Sequence, residues 1–288
     1  DGTLYWQQPI AGSVVAGVAY EPNVAGHNLI FAGTFSDTVS GVPTNVLYAL
    51  DAGTGTPVWS FTCGGCPGGL GLVTTTPVVD WSHNIIYFGT KNATSGSGGG
   101  IWAVSTLDGS LVWARTDLGG VNNSVPTLSG DGSSLYLATV NPGPVFTLYA
   151  LNTSGGGVRW SAGAPGEFFG VPWYEAGALY ATAGSRIYAF VATTGAPLPG
   201  WTAPYNGGPG YAGVPGAASP VVIAAAGNRG LYAGGADGYY YHLNMDDGTL
   251  VRRLALSNTA LGDATYDVVR DTFYLCFNGA LYSIWDNF

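Results

Sequence analysis

An all-β fold built from six copies of a four-stranded unit is predicted by three features of this 288-residue sequence. First, no segment carries a convincing helical period; short β-branched and aromatic runs alternate with Gly, Asn, Asp, Ser and Pro. Second, one motif recurs: "LYALDAGTGTPVWSF" at 47–61 has a near copy, "IWAVSTLDGSLVWAR", beginning at residue 101, and looser copies follow. Third, that motif is split across the two ends, which read "DGTLYWQQP" and "ALYSIWDNF".

Aligning the copies on the small residue after the first aromatic pair gives Ala49, Ala103, Ala150, Ala189, His242 and Ser283. The steps of 54, 47, 39, 53 and 41 residues lie in the range of propeller blades. The second unit reads as strands 75–80, 85–90, 101–105 and 111–115. In the third, "SVPTLS", "LYLATV", "TLYALN" and "VRWSA" follow the same order. The fourth offers "FGVPWY", "ALYATAG", "RIYAF" and "GWTA", and the fifth "SPVVIA", "GLYAGG", "YYYHLN" and "LVRRLAL". The sixth has "ATYDVV", "TFYLCF" and "LYSIW", and its fourth strand is expected from "TLYWQQP" at 3–9. The expectation is a six-bladed β-propeller of four-stranded antiparallel blades, one domain over 1–288. Its last blade combines about 263–288 with 1–10, because a circular array needs its first and last strands clasped.

Within each motif, Asp51 or Asn152 is suited to hydrogen-bond a tight turn, and Gly55 or Gly109 to take a positive φ. Trp59, Trp113, Trp160 and Trp201 are flat groups suited to docking one blade on the next. The segment "ALDAGTGTPVW" (49–59) fits A-x-D/N-x-x-T-G-x-x-x-W throughout, and 103–113 and 150–160 fit it in part. In the fifth unit Arg252 replaces the Trp. This repeat resembles that of the quinoprotein (pyrroloquinoline-quinone-like) β-propellers. The resemblance implies a propeller, and in the dehydrogenases of that family a quinone held between a Trp and an adjacent-cysteine disulfide, with calcium. Cys63 and Cys66 are not adjacent and no D-x-D-x-D loop is present, so no cofactor or metal is expected.

Charged residues make up 9% of the chain, against about 25% in a typical globular protein. Net charge is −9, and the positive residues are Lys91 and seven scattered arginines, which argues against nucleic acid. The longest apolar run, near 220–227, is too short for a membrane helix. Residue 1 is Asp, which suggests a processed, secreted chain. "TCGGCPGG" (62–69) reads as a local Cys63–Cys66 disulfide in an oxidising compartment rather than a redox pair or half a zinc site. Cys276 is expected to be a small buried side chain.

No catalytic group stands out. His27 and His83 occupy one repeat position, before the second strand, and read as turn residues; His242 reads as a packed strand residue. The long loops 33–45, 62–74, 90–100, 116–123, 163–168 and 203–217 are expected on one face. They carry Glu167, Phe168, Tyr205 and Tyr211, with Phe169 adjoining, a set able to stack on a sugar or to pack among the loops. Sequons place candidate glycans at Asn92, Asn122 and Asn152. Arg115, Arg159, Arg252 and Arg253 lie on outer-edge strands, where charge discourages pairing, whereas 58–61, 200–203 and 4–8 lack it. Low charge, bare edges and many aromatics favour an extracellular structural or assembly subunit that associates with itself or with other extracellular proteins or glycans. A carbohydrate- or protein-binding propeller ranks second and a quinoprotein-type oxidoreductase third.

Overall fold

The computed structural model describes all residues except 1, 37–44, 67–68, 93–98, 123, 142–144, 165, 185, 202–218, 226–227, 236, 258–260, 262, 278 and 286–288. Six antiparallel sheets follow one another along the chain, and no helix occurs among the described residues. The first sheet is β1 (Ala19–Val24), β2 (His27–Gly33), β3 (Leu47–Asp51) and β4 (Pro57–Phe61), paired in that order. In the second, β5 (Leu72–Val73) and β6 (Val78–Asp80) both pair with β7 (Ile85–Lys91), followed by β8 (Gly100–Ser105) and β9 (Leu111–Arg115). The innermost strand expected at 75–80 is thus broken in two, with Pro77, which lacks an N–H, between the halves.

The third sheet runs β10 (Thr127–Leu128), β11 (Ser134–Asn141), β12 (Val145–Asn152) and β13 (Val158–Ala164). The fourth is three-stranded: β14 (Phe168–Glu175), β15 (Ala178–Ala183) and β16 (Arg186–Val191). The fifth has β17 (Val221–Ala225), β18 (Asn228–Gly234), β19 (Tyr239–Asn244) and β20 (Leu250–Ala255). The sixth has β21 (Ala264–Asp267), β22 (Thr272–Phe277) and β23 (Ala280–Trp285).

Two expectations need correction. Of the fourth strand of the fourth unit, expected at "GWTA" (200–203), residues 202–203 lie outside the described residues; among the described ones the pairing on this edge is a single bridge between Phe190 and Pro197, and Pro197 and Pro199 cannot donate to a ladder. Residues 2–10 form no strand, so the sixth sheet shows three strands among the described residues. Trp6 nevertheless sits where a docking Trp belongs. Its Nε1–H donates to the Ala52 carbonyl at 2.9 Å.

The chain divides into two compact units, one comprising 1–128, 138–144 and 152–157, the other 129–137, 145–151 and 158–288. The core of the first unit lies between the first two sheets, where Phe31, Leu47, Phe61, Val73, Phe88 and Trp102 are buried together. In the second unit one cluster joins the fourth and fifth sheets through Tyr180, Trp201, Leu231 and Tyr241. Another joins the fifth and sixth through Tyr232, Tyr240, Phe273 and Leu275.

The repeated motif explains how neighbouring sheets hold together. Each third-to-fourth-strand turn closes with the same pair of backbone bonds; at Ser105, its N–H reaches the Ser110 carbonyl and its carbonyl accepts from Gly109. The Trp of the preceding unit lies on that turn. Trp59 donates to the Thr106 carbonyl, Trp113 to Thr153, Trp160 to Ala192 and Trp201 to Met245, at 2.7–3.1 Å. The second-strand tyrosines Tyr136 and Tyr180 donate to Ala192 and Met245 as well, at 3.1 and 2.8 Å. One carbonyl thus accepts from two buried rings of the preceding sheet. Burial pushes the Tyr180 hydroxyl up to about 12, so it stays a donor at any physiological pH.

The turn glycine is required twice over. Gly109 has φ +74°, and a Cβ there would meet the Trp59 ring at 2.6 Å. Gly64 has an ordinary φ and no heavy atom within 4 Å of its notional Cβ. Gly109→Ala is therefore expected to destabilise the protein by about 2–4 kcal/mol, from a left-handed backbone and an overpacked indole together. Gly64→Ala is expected to change stability by less than about 0.5 kcal/mol; urea denaturation of both variants checks the contrast.

Candidate functional site

Of the five residues expected to form an aromatic ligand site, Glu167, Phe168 and Phe169 are described and lie in or beside β14. Phe168 is buried, its ring 6.2 Å from that of Tyr188. Phe169 is in β14, paired with Thr182, and Glu167 adjoins that strand with its carbonyl accepting from Gly184. Tyr205 and Tyr211 lie outside the described residues.

The pairing Cys63–Cys66 is present, with Cα atoms 5.5 Å apart. Cys276 is exposed rather than buried, a correction with a clear local cause. Through the strand pairings Cys276 corresponds to Gly33 and Gly89. At those two glycines a Cβ would press on Val73 and Val121 of the following sheet, at 2.3 and 2.6 Å.

His27 and His83 each pair with an aspartate of a hairpin. His27 Nδ1 lies 2.8 Å from Asp51 Oδ2, joining the start of β2 to the end of β3. Asp80 accepts from the Ser82 and His83 N–H groups, and its other oxygen contacts His83 Nδ1 at 2.8 Å. Asp267 does the same for Val269, Arg270 and the Arg270 guanidinium. A Ser–His–Asp grouping exists at 80–83, but the Ser82 hydroxyl bonds the Asp80 carboxylate directly at 2.5 Å. A nucleophile arrangement instead sets the ring between serine and carboxylate. The recurrence at Asp267 identifies this grouping as a hairpin clasp.

The first unit contains a polar cleft of about 540 Å³, lined by Asn92, Gly99, Thr116, Asp117, Gly120 and Val140 among others. A smaller adjoining hollow adds Lys91 and Asn122. Backbone bonds shape its walls: Val121 N–H to the Thr90 carbonyl, and Val140 N–H to Gly120. Asn92 Oδ1 accepts from the Gly99 N–H at 2.8 Å. Arg115 holds Asp117 with two bonds of 2.8 Å and reaches the Gly156 carbonyl at 2.6 Å. The Arg115 bond keeps the Asp117 carboxyl below the usual carboxylate range, so it is an acceptor and not an acid at neutral pH. Amide, hydroxyl and carboxylate groups of this kind can hydrogen-bond a polyol or a peptide. Two predicted sequon residues, Asn92 and Asn122, stand on this cleft, whereas Asn152 caps its own turn through Ser154.

Sequence reasoning missed Glu21. It lies on β1, is 2% exposed, and its Oε2 has no hydrogen-bond partner. Burial pushes its carboxyl above the ordinary 4.5, the Thr106 hydroxyl offsets part of this, and the Asp80 charge adds to the rise. Only its place in an otherwise apolar-facing strand hints at burial. Among the described residues no three His, Cys, Asp or Glu side chains group to hold a metal ion, and no helix is long and apolar enough to cross a membrane.

The sequence matches the model of a family described as outer membrane protein assembly factor BamB, over residues 1–125 and 120–285. The chain belongs to this family. Its six sheets are the blades of a six-bladed β-propeller with quinoprotein-like repeats. Among solved structures, BamB from Moraxella catarrhalis is similar with 19% identity and a TM-score of 0.52, covering 99% of this chain and 86% of that one. A quinohemoprotein alcohol dehydrogenase from Comamonas testosteroni gives 12% identity and a TM-score of 0.64 over 92% of this chain, which spans 51% of that enzyme. A computationally designed protein, Ika8, gives 13% identity and a TM-score of 0.64, with 95% and 71% covered. A sequence search of curated proteins gives no match.

Because folding raises the Glu21 pKa, the ionised form costs stability above that pKa, and the deficit vanishes as pH falls below the ordinary value. Glu21→Gln is expected to stabilise the protein at pH 7 by on the order of 1 kcal/mol. The gain should shrink towards zero near pH 4; thermal melts of both proteins from pH 4 to 8 check it.

Proposed function

We propose that this BamB-like propeller is a non-enzymatic, extracellular structural subunit that assembles with copies of itself into filaments. The carrying observation is the state of its outer edges. β4 bears no charge and exposes Val58, and β23 bears none and exposes Leu281 and Trp285. Charge does occur on β9 and β13, yet Arg115 and Arg159 turn back to carbonyls of their own chain, Gly156 and Ser133. Bare, apolar edges of this kind are sites of association unless covered. The Cys63–Cys66 disulfide fits an oxidising compartment. Within the family, one relative is named as an assembly factor, which accords with a role made of protein contacts.

The polar cleft at Asn92 and Asp117 favours a second reading, a carbohydrate- or peptide-binding module. An oxidoreductase ranks third, since the adjacent-cysteine disulfide that the resemblance implies beside a quinone is here a Cys63–Cys66 pair spanning two glycines.

Light scattering with negative-stain imaging of natively produced protein, across concentrations, separates these readings. Regular fibres or large oligomers are expected. A monodisperse species near 29.5 kDa, allowing for glycans, would overturn assembly, and attention would pass to the cleft. There, a glycan screen losing its signal in Thr116→Ala would carry the second reading.

A further inference from the structure

We infer that the polar cleft of the first unit takes a saccharide that carries a carboxylate, a uronate, and that Lys91 is the residue that selects the acid. The inference rests on the second, binding reading and names its ligand class; it does not depend on self-assembly.

The residues lining the cleft and its adjoining hollow all belong to the first compact unit. Lys91 ends β7 and Asn92 follows it, Thr116 and Asp117 follow β9, and Val140 lies near the end of β11. Strand ends of two successive sheets thus bring an ammonium, an amide, a hydroxyl and a carboxylate to one place. Volumes of about 540 and 240 Å³ suit a small ligand.

Each group has a set chemical role. Asn92 Oδ1 accepts from the Gly99 N–H at 2.8 Å, so its amide offers the cleft donors. Asp117 is held by Arg115 through two bonds of 2.8 Å, which leaves it an acceptor with its charge balanced. Lys91 has no ion pair among the described residues; its Nζ lies 4.9 Å from the centre of the Phe35 ring. A ring face steadies an ammonium without neutralising it. The local charge of the cleft is therefore positive, in a chain of net charge −9. Charges more than about 8 Å apart are largely screened at physiological salt, so the local balance decides what enters.

A uronate answers these groups together. Its carboxylate pairs with the Lys91 ammonium and accepts from the Asn92 amide. Its hydroxyls donate to Asp117 and exchange bonds with Thr116, and Val140 supplies an apolar contact. A peptide strand fits less well. Backbone groups of the walls are spent on each other, Val121 N–H on the Thr90 carbonyl and Val140 N–H on that of Gly120, which removes them from strand addition.

Isothermal titration calorimetry on the full chain tests the inference, with trigalacturonate, its neutral counterpart galactotriose and a glutamate-rich peptide as probes. Trigalacturonate is expected to bind about tenfold more tightly than galactotriose, and to lose about tenfold in affinity in Lys91→Gln. Thr116→Ala should weaken it as well. In the unmodified chain, added sodium chloride should weaken the acidic saccharide and leave the neutral one unchanged, a readout that does not depend on any variant folding. Equal binding of the two saccharides would overturn the inference while the carbohydrate reading stands. Trigalacturonate binding that Lys91→Gln leaves intact would overturn it too, since the acid would then be read elsewhere. Binding of the peptide in place of either saccharide would make the cleft a peptide site. Silence from all three probes would remove both the inference and the second reading.

Discussion

The docking of a tryptophan on the next blade's turn is the interaction on which the rest of this structure depends. A sheet must bury its apolar face against another element, and here the sheets are joined by a repeated node. One carbonyl of the turn, at Ala192 or Met245, accepts from the indole and from a tyrosine hydroxyl of the preceding sheet. The flat ring also covers the turn glycine, so the carbonyl is buried and satisfied at once. Backbone, glycine and aromatic pair form one part, and copying that part along the chain copies the interface.

This explains where the fold tolerates irregularity. Among the described residues the fourth sheet has only a bridge at Pro197 on its outer edge, yet Trp201 still reaches Met245. The fifth unit has Arg252 in place of Trp, and its junction with the sixth sheet is made instead by Tyr232 and Tyr240 against Phe273, at 4.6 and 5.3 Å between ring centres. The outer ladder is dispensable where the ring contact survives, and the indole is dispensable where other rings replace it. Residues 2–10 show the same principle: they are not in a strand among the described residues, yet Trp6 is seated.

Six Asp and Asn side chains share one task, holding turns. Asp51, Asp80, Asp131, Asn152, Asp247 and Asp267 all accept from N–H groups two residues ahead. The five carboxyls among them are held below the usual range by hydroxyl, histidine or arginine partners and by those backbone bonds, which suits a structural acceptor and not a proton donor. Among the described residues, the surface offers bare edges, a polar cleft, and few charges to keep molecules apart.

Repetition made much of this legible in the sequence alone. Six units, their third strands, the turn glycines, the docking tryptophans and the Cys63–Cys66 pairing could be read because each rests on local spacing or on a pattern stated several times. The candidate ligand residues could not be read that way, since Phe168 is an aromatic whose burial depends on Tyr188, a residue from another strand. Cys276, Glu21 and the strand at 3–9 were misjudged or missed for the same reason. Whether a face of a strand is covered depends on which sheet lies opposite, and a sequence records the strand but not its neighbour. The sequence by itself determined the repeating part; only the tertiary structure decided which copies of that part are covered and which are exposed, because covering is a property of two surfaces.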